Sequence, residues 1–85
     1  MKTYIGEVIE VYIPPFDEKG NKADIMYSTR IGFKVMINNE IVDLIFEQDD
    51  SNVNIFNGDI VLITEQVISN KKFIDIEIYE GDGHE

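Results

Sequence analysis

The amino-acid sequence predicts an all-β domain, a small five-stranded barrel with at most one short helical turn. Three observations carry that expectation. Isoleucine, valine, tyrosine and phenylalanine, which suit pleated and half-buried surfaces, are abundant, whereas alanine occurs only at Ala23 and leucine only at Leu44 and Leu62. Apolar residues recur with a two-residue period along several runs. Short clusters of Gly, Pro, Asn, Asp and Ser separate those runs, as turns separate strands.

The first strand is expected over residues 2–13, KTYIGEVIEVYI. From Ile9 onward it alternates, with Ile9, Val11 and Ile13 on one side and Glu10 and Tyr12 on the other. Gly6 falls where the period falters, as a bulge or sharp coil in a curving strand requires. Pro14-Pro15 ends the strand, because neither residue can donate to a ladder. Residues 16–24, FDEKGNKAD, carry turn chemistry and almost no apolar payload, which predicts a surface loop. The run 25–37 is read as the second strand, with Ile31, Phe33, Val35 and Ile37 on one face and Arg30, Gly32, Lys34 and Met36 on the other. Asn38-Asn39 tolerates positive φ and joins this run to EIVDLIFE in a tight hairpin.

Residues 47–56, EQDDSNVNIF, start with a cluster fit to cap a helix but continue for too few periodic residues to sustain more than about two turns. A loop or one short helical turn is expected there. GDIVLITEQVI and FIDIEIYE supply the last two strands, joined by SNKK at 69–72 in a hairpin turn of the longer sort. Val61 and Ile63, with Ile74, Ile76 and Ile78 opposite, are expected in the core. The end of the chain loses the period, so residues 1–85 read as one domain with 80–85 as a mobile tail.

A glycine-interrupted first strand, a long loop, a tight hairpin, a variable connector and a second hairpin opening on Gly58-Asp59 form a recognisable layout. Through GEVIEVY, GFKVMINNEIVDLIF, NGDIVLITEQVI and FIDIEIY the chain resembles the OB-fold group of small barrels over roughly residues 3–80. SH3-like barrels share the strand count and a Gly-Asp strand entry and are the rival. The resemblance implies a ligand face on strands two and three, framed by long loops. By position that face holds Arg30, Lys34 and Met36, then Ile41, Asp43 and Ile45. It departs from a nucleic-acid stacking platform, which needs exposed aromatics among cations; Tyr12 and Tyr27 are the nearest aromatics.

Seven Lys and Arg against seventeen Asp and Glu give a net charge of −10, and no basic residue occurs between Asn38 and Ile68. Such a surface repels phosphate backbones, so a nucleic-acid partner is not expected. With no cysteine, disulfide scaffolds, thiolate zinc sites and cysteine nucleophiles are excluded. MKTYIGEV lacks the apolar core of a secretory signal, and no apolar run approaches bilayer length, which predicts a soluble cytoplasmic protein without a membrane partner.

Carboxylates at Glu47, Asp49 and Asp50, and at Asp17, Glu18 and Asp24 with Asn21, do not match a calcium loop and read as solvated. Their mutual repulsion predicts stability that rises as pH falls from 8 to 5. His84 stands alone in the tail. Neither metal nor cofactor is expected. Ser28, Ser51 and Ser69 have no adjacent base, and Asp75 or Glu77 against Glu65 is the nearest approach to an acid–base pair, so no enzyme is expected.

The leading expectation is a non-enzymatic binding or adaptor module that makes protein–protein contacts through the face of strands two and three. Its basis is the apolar set Met36, Ile41 and Ile45 at outward positions beside Arg30 and Lys34. The alternative use of those residues is burial beneath a connector carrying Val53, Ile55 and Phe56. A second functional reading is an acidic mimic of nucleic acid that inhibits a DNA- or RNA-processing enzyme, of the kind mobile elements encode. A third takes the OB resemblance literally, as a binder of single-stranded nucleic acid or oligosaccharide. Self-association would add stability to so small a core.

Overall fold

The structure is a computed structural model that describes residues 1–22, 24 and 28–81. Its strands are β1 (Lys2–Tyr12), β2 (Arg30–Ile37), β3 (Glu40–Glu47), β4 (Ile60–Ile68) and β5 (Lys71–Ile78), with a 3-10 turn at Asn52–Asn54. All pairings are antiparallel, in a single sheet ordered β3-β2-β1-β4-β5. The first three strands form a meander and β4 returns to lie beside β1, which is the Greek-key arrangement. The sheet coils into a barrel-like body, but β3 and β5 do not pair among the described residues. The body is therefore open along one seam.

Strand β1 is the hinge of the sheet because it pairs with β2 on one edge and β4 on the other. Two separate features let it coil. At Gly6 a Cβ would lie 2.6 Å from Val35 Cγ1 and 2.7 Å from the Met36 carbonyl oxygen, so only glycine permits this approach of β2. The bulge itself is at Ile9, since Val8 faces Val35 and Glu10 faces Lys34 with one extra residue between. That extra residue shifts the alternation: Tyr4 and Val8 point inward before it and Val11 after it. The expected bulge at Gly6 is thus a close approach, with the bulge three residues later.

The core consists of Val8, Ile31, Phe33, Val35, Ile55, Val61, Ile63 and Ile76. Ile31, Phe33 and Val35 occupy it as their alternation predicts, and Phe33 meets Phe46 with ring centroids 6.1 Å apart. Two expected core residues do not belong to it. Ile74 and Ile78 are 37% and 41% exposed, because β5 is an edge strand with no neighbour across the seam and only its central Ile76 reaches the packed centre.

Both hairpins turn on two residues with positive φ: Asn38 and Asn39 at 50° and 67°, and Ser69 and Asn70 at 53° and 64°. The second turn is shorter than its sequence suggests, because Lys71 and Lys72 already pair with Ile68 and Val67. Strand β2 begins at Arg30, later than the run from residue 25 implies; Ser28 Oγ accepts the Arg30 N–H at 3.2 Å. Tyr27, and the tail residues 82–85 with His84, lie outside the described residues.

The loop between β1 and β2 orders itself through Asp17, whose Oδ1 accepts the N–H groups of Lys19 and Asn21, each at 2.9 Å. The connector between β3 and β4 does likewise through Asp49, whose Oδ1 accepts the N–H groups of Ser51 and Asn52 at 2.9 and 2.8 Å. Buried Asn52 donates to the Glu47 carbonyl at 2.8 Å and accepts the Asp49 N–H at 3.0 Å. This brace turns Ile55 into the core. Gly58, at φ 97°, then lets the chain meet β1, donating to the Val8 carbonyl at 2.7 Å. Among the described residues no helix is long and apolar enough to cross a membrane.

Candidate functional site

Pairing of β2 with β3 places Arg30 opposite Glu47, Gly32 opposite Ile45, Lys34 opposite Asp43 and Met36 opposite Ile41. Because Ile31, Phe33 and Val35 point into the core, this other set faces outward, and Arg30, Lys34, Met36, Ile41 and Ile45 share one face. Ile41 and Ile45 are 59% and 45% exposed, while Met36 is half-buried. The connector does not cover them. Its Ile55 is in the core, and Val53 and Phe56 are themselves exposed.

The middle of this face belongs to Tyr12. It pairs with Gly32, and a Cβ on that glycine would overlap the tyrosine ring. Lying across the glycine, the ring reaches β3, where its hydroxyl donates to Asp43 Oδ1. Lys34 Nζ sits 5.8 Å from the ring centroid and 3.5 Å from Glu10 Oε1. Desolvation, then the bond to Asp43 and the negative charges of Asp43 and Glu10, push the Tyr12 hydroxyl up to about 12. The apolar set is consequently divided: Met36 and Ile41 lie on one side of the Lys34–Asp43 row, and Ile45 on the other. Arg30 is committed to architecture, its guanidinium donating to the Phe16 carbonyl and tying the β1–β2 loop to β2. Alternation alone puts Tyr12 opposite Ile9, Val11 and Ile13; the sequence signal of its role is a strand glycine on which an aromatic can rest.

A second concavity opens at the seam. A cavity of about 330 Å³ lies between Val42 and Leu44 of β3 and Ile74 of β5, floored by Ile37 and Ile63. At its polar rim Glu65 accepts from the Tyr4 hydroxyl at 3.4 Å and pairs with Lys72 at 3.1 Å. The bond from Lys72, with its charge, holds the Glu65 carboxyl below the usual carboxylate range. Glu40 and Asn38 complete the rim. Alternation along the sequence does not reveal this site, because it places Ile74 in a closed core. The site's signal is parity: Glu65 falls in phase with inward Val61 and Ile63, and Lys72 with inward Ile76.

The carboxylates considered for acid–base chemistry are not brought together. Asp75 faces Thr64 and Glu77 faces Leu62, whereas Glu65 faces Ile74 on the other side of the sheet. Among the described residues no three His, Asp or Glu side chains converge closely enough to hold a metal ion. Asp49 is held below its ordinary value, chiefly by the Asn52 N–H and then by the Ser51 hydroxyl. Comparison with protein-family models, with curated proteins and with solved structures finds no match to this chain.

Proposed function

We propose that this chain is a non-enzymatic cytoplasmic protein-binding module of the OB type, acting through the outer face of β1, β2 and β3. The observation that carries the reading is the exposure of Ile41 and Ile45 on a sheet face that no other element covers among the described residues. An open five-stranded Greek-key barrel supports the OB assignment. The Tyr12–Gly32–Asp43 contact keeps the face rigid, which lowers the ordering cost of docking a partner.

The test is capture of a partner by the wild type and by a folded Ile41→Glu/Ile45→Glu variant. Loss of the same partner from the variant is the expected result, and unchanged capture would reject the surface. If the partner is a nucleic-acid-processing enzyme whose binding survives the variant, falls steeply with salt and is competed by DNA, the acidic-mimic reading replaces this one. For oligo-dT, no binding tighter than about 0.1 mM is expected at physiological salt, and micromolar affinity would restore the literal OB reading.

A further inference from the structure

Among the described residues the seam leaves the outer edge of β3 without a strand partner beside an apolar cleft, and its charge identifies what fits there. Strand β3 pairs with β2 over all eight residues without a register break, so its other edge presents a regular row of backbone donors and acceptors. Of the devices that usually guard such an edge, lysine, proline and a bulge are absent from EIVDLIFE, and the charges it does carry, Glu40, Asp43 and Glu47, are all acidic. The opposite edge, β5, starts with Lys71-Lys72 and is guarded at that end.

We infer that the free edge of β3 accepts an extended segment of a partner protein in which apolar residues alternate with lysine or arginine. The inference rests on the protein-binding reading above and specifies the partner's chemistry. An added strand exchanges main-chain hydrogen bonds with β3, and its side chains alternate between the two faces of the sheet. One set enters the 330 Å³ cleft against Val42, Leu44 and Ile74. The cleft is at the lower end of ligand pockets, which span about 300–1,000 Å³, and suits a few aliphatic side chains. The other set emerges on the outer face beside Ile41, Asp43 and Ile45, and between the acidic residues Glu47 of β3 and Asp75 and Glu77 of β5.

Charge favours this occupant over a second copy of the chain. Two molecules of net charge −10 repel, and a second β3 brings Glu40, Asp43 and Glu47 without a cation to offset them. A basic strand meets those carboxylates with the opposite sign.

The experiment uses the whole chain and a synthetic peptide of alternating valine and lysine, about nine residues long so that it spans the 8 residues of β3. Calorimetry is expected to give micromolar binding that weakens with salt, and hydrogen exchange to show new protection of β3 amides. A valine–glutamate peptide, and a valine–lysine peptide N-methylated at alternate residues, should each bind about tenfold more weakly or worse. Ile74→Lys, at a partly exposed position in the cleft wall, should weaken binding similarly; if it does not fold, the two control peptides decide the matter on the wild type. Absence of binding, equal binding of the acidic peptide, protection of β5 amides in place of β3, or a dimer that the peptide does not dissociate would each overturn the inference. A natural partner lost from Ile41→Glu/Ile45→Glu but retained by Ile74→Lys would reject strand addition and leave the outer-face reading standing.

Discussion

Tyr12 and Gly32 act as one unit, because the ring occupies the volume a side chain on residue 32 would need. Gly32→Ala should displace the ring, break its bond to Asp43 and cost about 1–3 kcal/mol, as overpacking generally does. Tyrosine titration followed by absorbance provides a readout that simple destabilisation would not move. In the wild type Tyr12 should titrate near 12, against an ordinary value of 10, and in folded Gly32→Ala it should fall back toward 10. The raised value also sets a stability window. The native state holds the proton more tightly, so the contribution is complete below pH 10 and is lost as pH rises through about 12. Gly6→Ala should be destabilising by a similar amount, since the Met36 carbonyl that blocks its Cβ belongs to the paired backbone and cannot step aside.

Strand β5 carries three isoleucines of the same inward phase, Ile74, Ile76 and Ile78, and the first two show how position in the strand changes the consequence. Ile76 is buried against the core, and Ile76→Ala should cost roughly 2–5 kcal/mol in denaturant melts. Ile74 lies at the open seam, and Ile74→Ala should cost less than about 1.5 kcal/mol because much of its surface already meets water. Equal losses would mean that the seam is closed in solution. The turn before β5 is a point of local strain, since Ser69 adopts φ 53° without the side-chain amide that eases this conformation in asparagine. Ser69→Asn should therefore stabilise the hairpin by about 0.5–1 kcal/mol. In the connector, Asn52→Ala should cost about 1–3 kcal/mol, because the Glu47 carbonyl and Asp49 N–H lose their buried partner.

For the whole molecule, a net charge of −10 on 85 residues makes electrostatic self-repulsion a general load on a small core. Added salt at pH 7 should raise the melting temperature by screening it. The carboxylates are not uniformly solvated, however, because Asp49 and Glu65 are hydrogen-bonded and held below their ordinary values of 3.8 and 4.5. A lowered folded value contributes stability above the unfolded value, and that contribution disappears as pH falls through the folded one. These two groups leave the range from pH 8 to 5 unaffected and act below it. The expected profile has its maximum in mildly acidic solution and a decline below about pH 4; Asp49→Asn should flatten the acid limb in melts across that range.

The sequence by itself determined the strand count, the inward face of β2, the Asn38-Asn39 turn and the short helical segment. Each follows from chemistry between near neighbours: alternation in a pleated chain, and side chains that tolerate positive φ. It also placed Arg30, Lys34, Met36, Ile41 and Ile45 on one face, since face is a matter of parity along two strands joined by a two-residue turn. Tertiary structure decided what those faces meet. The bulge at Ile9 depends on β1 serving two neighbours, and Ile55 leaves the outer face for the core because the Asp49–Asn52 brace directs it there. Ile74 and Ile78 stay exposed because β3 and β5 do not pair. Whether a strand has a neighbour is settled by residues far away in the chain, and periodicity, which reports only a strand's own two faces, does not encode it.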